Sequence, residues 1–246
     1  MIEGMAARMA EWQSPNEGRT IISVIVPVHE GISRLPQIRA SVQTSNVIAE
    51  LIVVINGPEL VGKISPEGPL ETVLIANRIG RGYAFIEGSK AAKGLLSLLL
   101  HSDTTLPNDW DSAIVKALSD PKTAGGAFSR SFDEKSAYLQ FLLPLGSLMS
   151  WVMGDVWGDR GIFLRTDLLK ECLPALDVPI MEDVRLGRCL RKHGKVRLLR
   201  ETVTTSADAF RKHGSIRHTA RFLKCRLWYA LGGNPGQIFD YYYSRR

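Results

Sequence analysis

The chain has 246 residues, 45% of them hydrophobic, and a formal net charge of +6, which suits one large core in a single domain with or without a C-terminal elaboration. The charge is uneven: residues 1–183 carry 16 Lys/Arg against 22 Asp/Glu, a balance of −6, whereas residues 184–246 carry 15 against 3, a balance of +12. Composition speaks against a spanning or secreted chain: residues 1–19 lack the apolar core of a signal peptide and read as a flexible leader, and Leu139–Met153, broken by Pro144 and Gly146, is too short for a bilayer.

In chain order, Thr20–Val28 is a β-branched apolar run without alternation, the pattern of a strand buried on both faces. Pro27 is expected to end it and present His29 and Glu30 at its carboxyl end. A helix follows from Ser33, a plausible N-cap, to Gln43; Glu50–Ile55 and Leu70–Ala76 are the next strands. Gly80-Arg81-Gly82 opens a helix running to about Lys93, with Gly94 as its C-cap, and Leu95–Leu100 is a fourth strand. This βα alternation predicts a doubly wound, mainly parallel sheet. Right-handed crossovers then gather the strands' carboxyl ends, with His29, Glu30, Ile55, Asn56, Arg81, His101 and Asp103, at one edge.

Further on, a helix opens at Pro107 and ends near Leu118, and Ala124–Phe132 reads as a strand pointing away from the parallel set. Leu139–Met153 is an apolar helix, Gly158–Gly161 a tight turn, Ile162–Leu164 a short strand and Arg165–Cys172 helical. Glu182-Asp183 opens an amphipathic helix to about His193, Val196–Leu199 is a strand, and His213–Leu231 is a final basic helix. Cys172, Cys189 and Cys225, odd in number and without metal-type spacing, read as reduced thiols of a cytoplasmic protein.

Several of these residues suit chemistry. Asp103, beyond a strand end, is a hard oxygen ligand for a divalent cation that holds a diphosphate, or else a cap for the helix that follows. His101, two residues earlier, shares its face if the strand persists. Arg81 between glycines at a helix start offers free amides, a favourable dipole and a forked cation to an anion. Glu182 and Asp183 are paired carboxylates in which one pKa can rise to suit a general base, or a capping pair. Asp159 orients an acceptor hydroxyl or closes its own turn. The basic tail, whose Arg211, Lys212, Arg217, Arg221, Lys224 and Arg226 alternate with apolar residues, suits core packing or an anionic membrane surface; no module signature supports nucleic acid.

Ser23-Val-Ile-Val-Pro27, Gly80-Arg81-Gly82, Leu100-His-Ser-Asp-Thr104 with Leu106-Pro107, Gly158-Asp-Arg-Gly-Ile162 and Met181-Glu-Asp-Val-Arg-Leu186 stand in an order that resembles family 2 glycosyltransferases. The subgroup most similar is the radical-SAM/selenodomain-associated, arsenosugar-biosynthesis-like set. The resemblance spans about Thr20–Tyr243 and implies a GT-A fold, with residues 20–110 as nucleotide-binding half, 111–210 as acceptor half and 211–246 as basic C-terminal helix. It implies an inverting transfer from a nucleotide-sugar donor to a hydroxyl acceptor, assisted by Mg or Mn. Carried over, Asp103 is the last position of the metal-binding Asp-x-Asp motif, with His101 at its first. Asp183 is the general base beside Glu182 and Asp159, and Pro27, His29, Glu30, Asn56, Arg81 and Ser102 bind the donor.

The chain departs from that pattern in the nucleotide pocket. Ile55 stands where relatives have an Asp that contacts base or ribose, so either Asn56 and Glu30 compensate, or the donor differs, or activity is lost. The resemblance thus leaves two readings from different classes: an enzyme in the cytoplasm or peripheral at the inner membrane face, and a catalytically silent GT-A-like module that binds a membrane or protein partner. A sugar nucleotidyltransferase is weakened by the absence of a glycine-rich, arginine-containing turn after the first strand.

Overall fold

A computed structural model describes residues 21–29, 32–153 and 158–243; the expected leader and Glu30 lie outside the described residues. Strand β1 (Ile22–Val28) is buried along its whole length and lies between two parallel neighbours, β2 (Ala49–Ile55) and β4 (Leu96–Leu99). β3 (Glu71–Ile75) extends the parallel set beyond β2, giving the order β3-β2-β1-β4. Burial on both faces is why β1 and β4 are mainly apolar without alternation, each holding a single buried serine, Ser23 and Ser97. Pro27 does not end β1, which continues to Val28. β4 pairs with β1 only as far as Ile25, so on that side Pro27 has no partner for an N–H to reach.

Helix α1 (Leu35–Gln43) follows β1 without a side-chain cap from Ser33, and α2 (Arg81–Ala91) packs its small face on β1 and β2. Gly88 makes that packing possible: a Cβ there would sit 2.3 Å from Ile25 Cγ2. Gly94 is not the helix cap, since α2 ends at Ala91; it lies under Ser23, whose backbone N is 2.7 Å from where a Cβ would be.

Past β4 the sheet becomes mixed. A two-residue strand β5 (Thr104–Thr105) precedes α3, which starts at Trp110 rather than Pro107 and ends at Leu118. β6 (Thr123–Phe132), α4 (Ala137–Met153), β7 (Ile162–Arg165), α5 (Thr166–Glu171), α6 (Leu173–Leu176), α7 (Glu182–His193) and β8 (Lys195–Thr205) follow. The full order is β3-β2-β1-β4-β7-β6-β8-β5. β7 is antiparallel to both β4 and β6, so β6 keeps the direction of β1–β4, and the reversed strands are β7 and the short β5, which is antiparallel to β8; this corrects the expected reversal at β6.

The expected terminal helix is three helices, α8 (Asp208–His213), α9 (Ser215–Ala230) and α10 (Pro235–Tyr243), with Gly214 at positive φ breaking the first from the second. α9 and α10 close on Ile180, Met181 and Val184 through Cys225, Trp228, Ile238 and Phe239, which fixes them over the start of α7. The cysteine reading is corrected: Cys172 and Cys189 form a disulfide that ties the α5–α6 junction to α7, and Cys225 is the free, buried thiol. Among the described residues no helix is long and apolar enough to cross a membrane.

Candidate functional site

Two cavities meet at the carboxyl edge of the parallel strands and share Arg81, His101 and Asp103. The outer one, about 440 Å³, is lined by Pro27, His29, Ser102, Arg34, Lys212 and Tyr243 among others. The inner one, about 260 Å³, has Asp159, Asp183, Arg130 and Gly158 at one end and an aromatic wall at the other. Most of the expected site residues are thus brought together at one seam. Asn56 and Glu182 line neither cavity and stand behind Arg81 instead.

The start of α2 shows why those two are needed. The Asn56 side-chain oxygen accepts from the Gly80 amide at 2.8 Å and its amide donates to the Arg78 carbonyl at 2.8 Å. The Arg81 amide donates to the Pro179 carbonyl at 3.1 Å. These amides are therefore not free for an anion, contrary to the expectation for a Gly-Arg-Gly helix start. Gly80 (φ 140°) and Gly82 are required by close approach: a Cβ on Gly80 would lie 2.4 Å from Pro179, and one on Gly82 would lie 2.1 Å from the Leu176 carbonyl. The turn is a clasp between α2 and the segment leading into α7.

From that clasp Arg81 Nε donates to Glu182 Oε1 at 2.7 Å. Burial works against the Arg81 charge, but Glu182, with Tyr243 and Asp183, outweighs it and raises the guanidinium pKa. Burial and the adjacent Asp183 push the Glu182 carboxyl up, with Arg81 opposing, and its Oε2 has no hydrogen-bond partner among the described residues. Met181, at positive φ, turns the chain so that Glu182 faces inward under Arg81 while Asp183 faces the inner cavity.

Asp183 accepts from the Val184 amide at 2.8 Å and from the Gly158 amide at 3.1 Å. Gly158 also touches the site from the other side, where a Cβ would sit 2.7 Å from His101 Nε2. His101 Nε2 is buried without a partner among the described residues. Burial, reinforced by Arg81, pushes the His101 pKa down to about 3, so the imidazole is neutral and its lone pair is available to a cation. The surrounding protein and Asp159 push the Asp103 carboxyl up, with Thr104 and Arg81 opposing. β4 ends at Leu99, so His101 and Asp103 lie in a turn rather than on one strand face, and α3 begins too far on for Asp103 to cap it.

Asp159 is paired with Arg130; burial opposes its charge but Arg130, His101 and Arg160 together hold its carboxyl low. Its backbone carbonyl accepts from Thr205 Oγ1 at 3.0 Å, which fixes the turn on β8. Ile55 is buried in the core and lines neither cavity.

The C-terminal helices supply site residues that the sequence did not mark. The Tyr243 ring packs edge-on to His29 at 5.4 Å, and His29 Nδ1 lies 3.1 Å from the Asn56 carbonyl. Arg34 pairs with Asp133 and contacts Ser206 at 3.2 Å. The outward face of α9 is itself apolar: Ile216, Leu223, Leu227 and Leu231 just beyond it are 44–79% exposed, with Arg217 and Lys224 exposed at its flank. Only the i, i+4 recurrence of these residues hinted at a face turned outward.

No family model matches the sequence, and no curated protein matches it. Similar solved structures include a mycobacterial protein (16% identity, TM-score 0.53, covering 80% of this chain and 68% of that one) and residues 1–349 of S. aureus TarS (13%, 0.56, 77% and 61%). GalNAc-T7, solved with UDP, GalNAc and Mn2+, is a third (16%, 0.57, 78% and 44%). The chain therefore spans less than two thirds of the TarS and GalNAc-T7 chains. TarS and GalNAc-T7 are glycosyltransferases, and the likeness is one of fold: the chain has a mixed α/β, GT-A-like architecture.

Proposed function

We propose that this protein moves a sugar from a nucleotide-diphosphate donor to an acceptor hydroxyl, with inversion at the anomeric carbon and a divalent cation, Mg or Mn, at the seam. The observation that carries this reading is the meeting of Arg81, His101 and Asp103 where a cation-lined cavity joins one lined by the Asp183 carboxylate. The donor diphosphate lies in the outer cavity against Arg81, Arg34 and Lys212, where charge-assisted hydrogen bonds hold it. Pro27, His29 and Ser102 line the same space.

Asp103 and His101 would hold such a cation, offering it one carboxylate and one neutral imidazole. When bound, the cation neutralises charge on the departing diphosphate. The Mn2+ and UDP in GalNAc-T7 support that choice of partners.

The acceptor lies in the inner cavity. Asp183 takes the hydroxyl proton as the acceptor oxygen bonds to the anomeric carbon; the bond from that carbon to the diphosphate oxygen breaks, and its electron pair leaves with the nucleotide. The two backbone amides on Asp183 fix its carboxylate for this task. Asp159, held by Arg130, orients the acceptor, and Glu182 acts through Arg81 as a positioning residue.

Release of nucleoside diphosphate from a panel of nucleotide sugars tests the assignment. Asp183→Ala should lower turnover about 100-fold or more while donor affinity changes little. Full turnover in the variant removes Asp183 as base; no turnover with any donor, and no nucleotide bound, favours the silent binding module.

A further inference from the structure

The inner cavity has two chemically different ends. Asp183, Asp159 and Arg130 stand at one, with Phe132 under the Arg130 guanidinium at 4.7 Å; Leu142, Phe210, Phe222, Leu223 and Tyr242 form the other, with His218 and Thr219 among them. A free sugar or polyol presents hydroxyls on all sides, and against this wall, where Thr219, His218 and the Tyr242 hydroxyl are the polar groups, most of them would lose their water for few partners. A hydroxyl at the polar end of an otherwise apolar body satisfies both ends.

The apolar end is also continuous with the surface. Leu223 lines the cavity and is 44% exposed, and on the same face of α9 it is followed at four-residue steps by Leu227 and Leu231, with Ile216 behind it. A helix whose outward face is apolar, flanked by Arg217 and Lys224, has the make-up of one lying in a lipid interface. The stripe leads to the cavity mouth instead of lying apart from it. Resting on the transfer reading above, we propose that the acceptor is a lipid-like amphiphile, its hydroxyl presented to Asp183 and its tail running over the Phe210–Phe222–Leu223 wall onto the face of α9.

Paired probes with the same head test this directly. Octyl β-D-glucopyranoside, below its micelle concentration, and methyl β-D-glucopyranoside are titrated into the full chain without donor or metal. Burial of two or three tail methylenes corresponds to about 30-fold tighter binding of the octyl compound. Leu223→Gln, a change at a half-exposed position, should remove most of that preference, whereas Asp183→Asn should leave it intact. Equal binding of the two probes overturns the proposal, as does a preference that survives in both Leu223→Gln and Phe222→Gln. Self-association through α9 that competes with the octyl probe in sedimentation assigns the face to a second copy and overturns it too. Because no nucleotide is present, this result and the donor-binding result fail independently.

Discussion

Glu182→Gln isolates the contact on which the site's geometry depends. The Glu182 side chain is 2% exposed and Arg81 28%, with 2.7 Å between Oε1 and Nε. Removing one partner of a buried pair leaves the other charge uncompensated, at a cost of about 3–5 kcal/mol; the access Arg81 keeps to solvent places this case near 3 kcal/mol. Arg81→Leu strands the opposite charge and should cost a similar amount at neutral pH, but Glu182 can then protonate. Its folded pKa is already raised by burial and by Asp183. A carboxyl raised on folding loses stability as pH rises from its ordinary range through its folded pKa, so the deficit of Arg81→Leu should shrink on acidification while that of Glu182→Gln should not. The double variant, with neither charge buried, should lie within about 1 kcal/mol of the wild type, a coupling of several kcal/mol. Urea unfolding followed by tryptophan fluorescence at neutral and mildly acid pH measures all four proteins, with Trp110 fully buried as a reporter. Additive single-variant effects, or a pH-independent Arg81→Leu deficit, would mean that Arg81 and Glu182 do not act as a buried pair.

Other outcomes follow from particular contacts. Gly82→Ala places a methyl 2.1 Å from the Leu176 carbonyl and 2.2 Å from that of Val178, so α2 must shift; a stability loss of about 1–3 kcal/mol and weaker nucleotide binding by calorimetry are expected, and wild-type values for both would show that the clasp is loose. Cys189→Ser opens a bridge of 17 residues' separation and should cost about 3 kcal/mol in denaturant unfolding; an unchanged midpoint under oxidising conditions would mean the bridge adds nothing to the stability of α7. The chain should bind anionic vesicles in a salt-sensitive way, and Arg217→Gln with Lys224→Gln should together lose about 2 kcal/mol of that binding in co-sedimentation; equal binding to neutral vesicles contradicts the electrostatic part.

The β1–β4 half of the fold was legible because its physics is local. β1, β2 and β4 are mainly apolar runs without alternation, buried on both faces and each interrupted by one polar residue (Ser23, Glu50, Ser97), and α7 announces itself by two carboxylates at its start and an amphipathic repeat behind them. β8 was read as four residues instead of eleven because most of its side chains are exposed and polar, so neither alternation nor an apolar run marks it. Its length is set by pairing with β6, a tertiary fact. α10 was missed for a related reason: its Tyr and Phe residues fill the space against α9 and His29, and only that packing makes them helical.

Site membership divided in the same manner. Arg81, His101, Asp103 and Asp183 could be placed near one edge by counting strands, since each lies at a strand end or helix start. The roles of Glu182 and Asn56 could not, because each is defined by a partner 101 or 24 residues away that leaves no local pattern. The same holds for the Cys172–Cys189 bridge, whose spacing matches no local rule but whose helices are packed side by side.

The metal-assisted nucleotide site proposed at the seam of the two cavities depends on the Asp103 carboxylate. Calorimetric titration of a panel of nucleoside diphosphates into the wild type and Asp103→Asn, each with and without Mn2+, tests it most directly. At least one nucleotide should bind the wild type, Mn2+ should tighten this binding, and Asp103→Asn should abolish the tightening while leaving metal-free affinity nearly unchanged. Absence of binding by every nucleotide, or metal-dependent tightening that survives without the Asp103 carboxylate, would contradict it.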